Sequence, residues 1–338
     1  KTEEIEYRIP TRYIEDDYDG KMYYLHTSQI NQLVTPNHKM FIKRKNWKAK
    51  WLPYYFDYAE NIAGKCWYAY KKNGKWNGIS KKTININGNE IKIEDWIDYF
   101  GFWIAEGWTN FNPPYGYISG VRNQNTEILS ELKNKLERNG IHSFITKRTN
   151  QLLISNKSVY TYLKQFGKSY QKFIPKEIKN LDSKLLKKLL DSYLRGDGRI
   201  EKTRITATTA SKQLRDDLQE IALKVGWSAN YYKKDTSREC YIGKRKIFPR
   251  HLHWTISFIR KRNEPVVHAT NNFDEWINYK GKIYCVEVPN HTVYVRRNGK
   301  PCWSGNSTAQ FIQGDFIDTW NNAKKLGYKR YRWSIAKH

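Results

Sequence analysis

Two acids sit where a helix disfavours them. Glu106-Gly107 closes one apolar run and Asp197-Gly198 closes another. Ile93, Trp96, Ile97, Phe100 and Ile104 recur at helical spacing ahead of the first. Leu185, Leu186, Leu189, Leu190 and Tyr193 do the same ahead of the second. Each acid therefore falls at the C-terminus of an amphipathic helix, where the dipole opposes negative charge. If the two helices pack side by side about a twofold, their acids converge at one end of the seam. Two carboxylates brought together call for a cation, and oxygen ligands with room left for water and phosphate suit Mg²⁺. Such a site beside a phosphodiester activates water and stabilises the leaving oxygen.

The elements around these acids repeat. After the first acid come a strand over 115–122, a helix carrying Ile128, Leu129, Leu132 and Leu136, and strands over 142–148 and 151–155. A short helix follows at 159–166. After the second acid come a strand over 204–208, a helix carrying Leu214, Leu218, Ile221 and Val225, and strands over 228–233, 239–245 and 254–260. Leu214 lies 86 residues after Ile128, and Gly226 lies 86 after Gly140. Residues 93–262 thus read as two copies of one programme. The flanks read as β: Met22 to Leu25, a strand–turn–strand over 33–42, Lys282 to Val288, and Thr292 to Val295. Turns are expected at Asp17-Tyr18-Asp19-Gly20, at Pro289-Asn290-His291 and at Asn298-Gly299-Lys300. Residues 47–90 read as a loop-rich connection with a hairpin near Asn73-Gly74.

Composition narrows the partner. The 338 residues carry a formal charge of +27, which points to a polyanion, most often nucleic acid. Aromatics at 15% argue for a folded chain rather than a basic tail. The longest apolar runs fall far short of the ~18 residues of a membrane helix, and no apolar signal core follows Lys1. The cysteines (Cys66, Cys240, Cys285, Cys302) are scattered, so zinc and disulfide frameworks are not expected. An intracellular, cytoplasmic protein of a cell or phage is expected. The lysine start indicates a fragment or a processed chain.

The runs YFGFWIAEG (Tyr99 to Gly107) and LDSYLRGDG (Leu190 to Gly198) resemble the paired motifs of the LAGLIDADG, or dodecapeptide, homing endonucleases. The resemblance implies a monomeric, pseudo-twofold enzyme of two αβαββα-type halves. Two β-saddles would straddle double-stranded DNA, and Glu106 and Asp197 would be catalytic acids and Mg²⁺ ligands. Lys172, ahead of Phe173-Ile174-Pro175, falls where that family has a lysine that can order water or offset phosphate charge. Its second-half partner is taken as Lys261. The saddle strands should carry the DNA contacts, for which Arg122, Lys147, Arg148, Arg204, Lys233, Lys234, Lys244, Arg245 and Arg260 are the candidates.

Thr35-Pro36-Asn37-His38, the block from Ile283 to His291 (IYCVEVPNH) and the end at Gly305-Asn306-Ser307 resemble the splicing (Hint) domain of inteins. By that resemblance Asn306 cyclises onto its own carbonyl and releases Ser307, itself an acyl acceptor. His38, with Thr35 in the same splicing block, would polarise the upstream scissile peptide, and His291 would assist Asn306. Three features depart from the family. No starting nucleophile precedes Tyr24, so an upstream fragment would have to supply it. Gly305 replaces the usual histidine, and Cys285 stands where Asp is frequent. The expected fold is α+β: an endonuclease (91–265) inserted in an all-β Hint domain (1–46 and 266–306). Residues 47–90 would connect them, and 307–338 would be C-extein, with 328–335 faintly resembling phage large-terminase ATPases. Two other readings are a non-cleaving DNA-binding protein and a splicing-only protein with a degenerate nuclease. Retention of both acids argues against the first, and the length of the insert argues against the second.

Overall fold

A computed structural model describes residues 3–113, 116–234, 240–242, 245–247, 251–268, 273–306 and 333–336. The chain divides into two compact units. One comprises Lys1–Trp76, Gly226–Tyr231 and Ile259–His338; the other comprises Asn77–Val225 and Tyr232–Phe258. No helix among the described residues is long and apolar enough to cross a membrane.

The first unit is built on strands. Arg12–His26 pairs antiparallel with Asp274–Glu287, in register from Arg12 opposite Glu287 to Leu25 opposite Asp274. Asn31–Val34 adds to the near end. The turn expected at Asp17 to Gly20 lies in the middle of this ribbon. Cross-strand pairing overrides the local turn preference: Lys282 reaches Asp17 and Lys280 reaches Asp19, each at 2.8 Å. The two glycines take the rings of their neighbours: Tyr18 folds over Gly20 and Tyr279 over Gly281, each hydroxyl donating to the next carbonyl along (Lys21 O, Lys282 O) at 2.8 Å.

Lys39–Arg44 lies between Tyr55–Tyr58 and Tyr68–Tyr70, with Val266–Val267 on the outer edge of the latter. The short helix α1 (Ala59–Ile62) follows Tyr55–Tyr58. Thr292–Arg297 and Lys300–Gly305 form a hairpin, closed by Asn298 and Gly299, both at positive φ, which matches the sequence and the strand twist. Tyr23, Leu25, Val34, Met40, Ile42, Tyr70, Val286, Val293 and Cys302 form the core of this unit. The hairpin expected near Asn73-Gly74 does not form. Lys75–Trp76 instead runs parallel to Glu4–Arg8. Gly74 permits this, because a Cβ there would meet Ile5 Cγ1 at 2.6 Å.

The second unit holds the helices of the repeat and most of its strands; residues 228–231 and Ile259 group with the first. Its helices are α2 (Ile93–Glu106), α3 (Thr126–Glu137), α4 (Lys157–Lys164), α5 (Lys176–Lys179), α6 (Ser183–Asp197) and α7 (Lys212–Lys224). Side chains cap four of them: Asn125 on α3, Asn156 on α4, Asp182 on α6 and Ser211 on α7 accept from first-turn N–H groups. After α2 comes a four-stranded sheet in the order Gly107–Asn112, Gly116–Arg122, Gln151–Ser155, Ser143–Thr146. After α6 the order is Gly198–Ile200, Ile205–Thr209, Trp254–Ile259, Ser228–Lys233. Both are first–second–fourth–third, with α3 or α7 between the second and third strands. The second copy adds the ribbon Cys240–Ile242 with Arg245–Ile247. Each sheet also has an opening strand that the sequence did not disclose. These strands begin at the glycine after the acid, with no turn residue to announce them.

Candidate functional site

The site starts at the seam between α2 and α6, and small residues make the seam close. A Cβ on Gly101 would lie 2.5 Å from Leu189 O and 3.1 Å from Ser192 Cβ. Ser192 Oγ donates to Asp98 O at 2.5 Å. One on Gly196 would lie 2.6 Å from Ala105 Cβ and 3.1 Å from Glu106 Cγ. These contacts come in equivalent pairs. Asp98 matches Leu189, Gly101 matches Ser192 and Ala105 matches Gly196, each 91 residues apart, as Glu106 and Asp197 are. The seam is therefore pseudo-symmetric at the level of single contacts, and it brings the two acids to the same end.

The glycine after each acid has an equally local reason. Gly107 N–H donates to Trp103 O, and Gly198 N–H donates to Leu194 O. A Cβ would come within 2.4 Å of the first carbonyl and 2.3 Å of the second. Only glycine lets the chain turn out of the helix directly into the sheet here.

Glu106 is half-buried, and loss of solvent raises its pKa against the pull of Lys172. Asp197 is pushed up to about 7, first by desolvation and then by Glu106. Its residue surface remains open to water, which tempers the rise. The upward direction rests on the neighbouring carboxyl as well as on burial. Two acids at one end of the seam, Glu106 opposing the ionisation of Asp197 and Asp197 reachable from solvent, are oxygen donors of the kind a divalent cation takes.

Lys172 is buried. Its Nζ donates to Trp103 O and Ile104 O at 2.9 Å and to Gly107 O at 2.8 Å. All three ammonium protons go to carbonyls at the end of α2, and the ammonium lies over the Trp103 ring. Burial lowers its pKa to about 8, against the attraction of Asp197 and Glu106. The sequence marked this lysine for water or phosphate; its partners in the structure are the carbonyls that surround Glu106. Lys261 is exposed, two residues beyond Trp254–Ile259.

The DNA-contact candidates separate. Arg122, Arg204, Lys233 and Lys234 are exposed at or just beyond ends of sheet strands, and Arg204 donates to Tyr232 OH at 2.8 Å. Lys147 and Arg148 are exposed but lie in the turn after Ser143–Thr146, not in the strand expected over 142–148. Arg260 is exposed and belongs to the first unit, over the Trp227 ring. Lys244 and the side chain of Arg245 lie outside the described residues. Sequence reasoning passed over Phe111, Phe144, Ile200 and Tyr232, which the same sheets expose. Apolar side chains at outward strand positions were the available signal.

A second constellation lies in the first unit. His38 is fully buried, and Nε2 sits 2.7 Å from Ser304 Oγ. Burial drives its pKa down to about 3, so the ring is neutral. Thr35 Oγ1 donates to Asn37 Oδ1 at 2.8 Å, and His38 N–H donates to Thr35 O at 3.0 Å. Asn306 is buried. Its N–H donates to His291 O at 2.9 Å, and its Nδ2 donates to Val288 O at 3.3 Å. Its Oδ1 lies 3.2 Å from His291 Nδ1. A carboxamide oxygen only accepts, so this contact needs the proton on Nδ1. Gly305 also has a local cause: a Cβ there would meet Lys39 O at 2.3 Å. The histidine usual in the resembled family has no room. Cys285 is half-buried beside Val286 O at 3.6 Å. Ser307 lies outside the described residues. Ser304, the partner of His38, carried no sequence signal.

Residues 184–261 match the LAGLIDADG-like domain. The match runs from the start of α6 to just past the last strand of the second sheet. Among curated proteins, the chain is 28% identical to the DNA-directed RNA polymerase subunit beta C-terminal section of Stigeoclonium helveticum, over 91% of this chain and 33% of that protein. It is 24% identical to the ATP-dependent Clp protease proteolytic subunit of Chlamydomonas moewusii, over 96% of this chain and 44% of that one. The chain thus spans less than half the length of each relative. Among solved structures, it is similar to I-DmoI in complex with DNA and Mn, at 12% identity and a TM-score of 0.38, over 51% of this chain and 93% of that one.

Proposed function

We propose that this chain is a site-specific double-strand DNA endonuclease of the LAGLIDADG kind, carried within a self-processing intein. The observation that carries the nuclease reading is the convergence of Glu106 and Asp197 at one end of a pseudo-symmetric helix seam. Glu106 and Asp197 would hold Mg²⁺, which when bound activates water and stabilises the leaving oxygen. The chain's own residues supply the rest. The α2–α6 seam fixes the separation of the acids, Lys172 ties down the carbonyls around Glu106, and Asp197 faces solvent where a phosphate can approach. Both halves are in one chain, so a monomer suffices. The LAGLIDADG-like match over 184–261 supports the reading. Incubating the full chain with Mg²⁺ and a randomised duplex library, then sequencing the ends, tests it. One recurrent double-strand break is expected with Mg²⁺ and none with a chelator.

Two curated relatives, a polymerase subunit and a protease subunit, have no function in common, yet each aligns with nearly all of this chain over a minority of its own length. A segment shared by proteins with unrelated work behaves as an insert, and this favours the intein reading. At the processing end, Asn306 Nδ2 attacks its own carbonyl carbon. The peptide C–N bond to Ser307 breaks, the amine of Ser307 leaves with the proton, and a succinimide remains. His291 orients the carboxamide through Oδ1. An upstream fragment would supply the starting nucleophile. Intact-mass measurement should show slow release of a fragment beginning at Ser307, and Asn306→Ala should stop it. Equal release from Asn306→Ala would end the processing reading.

A further inference from the structure

A rigid basic loop in the first unit has no part in either reaction. It leaves the sheet at the end of Lys39–Arg44 and is closed by a bridge between Lys45 and Trp51. Asn46 builds it. Its Oδ1 accepts from Lys48 N–H at 3.0 Å and from Lys50 N–H at 2.9 Å. Its own N–H donates to Lys50 O at 2.8 Å, and its carbonyl accepts from Ala49 N–H at 2.9 Å. Ala49 is held at φ +58°, a conformation that persists only where the surroundings over-determine it.

This fixed loop presents Trp47, 87% exposed and the most exposed large apolar side chain among the described residues. Lys48 and Lys50 flank it and are exposed. Lys48 Nζ lies 4.6 Å from the Trp47 ring, and Lys45 Nζ lies 4.4 Å from the Trp67 ring. The run from Lys43 to Trp51 carries five cations, and no acid occurs from Lys39 to Phe56. At the base, Lys43 and Tyr54 share Glu264. Lysines alone would be an ordinary solvated surface. An indole held out of the core by a hydrogen-bonded loop, between lysines, serves no packing purpose. The combination matches nucleic-acid recognition, with cations on phosphates and a ring to stack on or wedge between bases.

We infer that the loop from Lys45 to Trp51 is a second DNA-binding element, in which Lys48 and Lys50 meet phosphates of duplex DNA and Trp47 contacts its bases. The choice of ligand rests on the endonuclease reading. The test is equilibrium binding of the full chain to a mixed-sequence duplex of about 40 base pairs, with chelator present, across a range of NaCl concentrations. The double variant Lys48→Gln with Lys50→Gln should flatten the slope of log K against log salt by about 2, at roughly 0.9 per phosphate contact. It should also weaken binding about tenfold or more near 0.1 M salt. Trp47→Ala should weaken binding several-fold without changing the slope, and Trp47→Phe should recover part of the loss. All three side chains are exposed, so the fold is left intact. Variants with wild-type slope and affinity would overturn the inference, and so would a wild-type chain that does not bind the duplex. A chain that binds through this loop but never cuts would sink the endonuclease reading and leave this one standing.

Discussion

At Asp197 the two causes of the raised pKa, desolvation and the Glu106 carboxyl, make a stability prediction. In the native state its pKa is raised toward about 7, whereas the unfolded chain releases the proton near the ordinary value of 3.8. Between those values the native state binds more protons than the unfolded one, so stability falls as pH rises through the window and is flat above it. Neutral His38 acts the other way over much of the same range, so the contribution of Asp197 is read as a difference: in metal-free protein, the Tm of Asp197→Asn should gain on that of the wild type from about pH 4 to pH 7 and lie above it at pH 8. Scanning calorimetry across pH checks this; a variant with the wild-type slope would contradict it. Lys172 makes the opposite case. Replacing it with Met strands three acceptors at the end of α2, and the cost should be about 3 kcal/mol or more. Denaturant melts of Lys172→Met measure it. The acids and the lysine were legible from their spacing, but the lysine's partners were not. The carbonyls it holds belong to a helix end more than sixty residues earlier in the chain, and nothing in the local pattern connects the two. Gly305 was legible only as a departure, because its cause is Lys39 O, on a strand distant in sequence.

Among the elements, the α2–α6 pair governs the rest. Its closest approach depends on Gly101 against Leu189 O and Gly196 against Ala105. A branched side chain at Gly101 has no space to enter, so Gly101→Val should destabilise the second unit by about 2–3 kcal/mol or split the seam. The check is the unfolding midpoint together with cleavage, which should fall with it. Wild-type stability in Gly101→Val would mean that the helices pack differently. The helices and their repeat could be read because apolar periodicity survives in any single sequence. The opening strands Gly107–Asn112 and Gly198–Ile200 could not, since they begin without a turn and are short or polar. The long ribbon was misread at Asp17 to Gly20 because residues that favour turns locally are satisfied by lysines on a strand far along the chain.

The whole molecule combines a repeat that makes one seam with a strand-built unit that holds His38, His291 and Asn306. The charge of +27 fits the proposed binding of a polyanion. The proposed nuclease requires above all that the two acids act in cleavage rather than in folding or binding. The direct measurement compares Glu106→Gln and Asp197→Asn with wild type on the same duplex, reading Mg²⁺-dependent cutting and DNA affinity side by side. Loss of cutting by at least about a thousandfold in each variant, with affinity held within a few-fold of wild type, is the predicted result. Full cutting by either variant, or loss of cutting only in step with loss of binding, would contradict it.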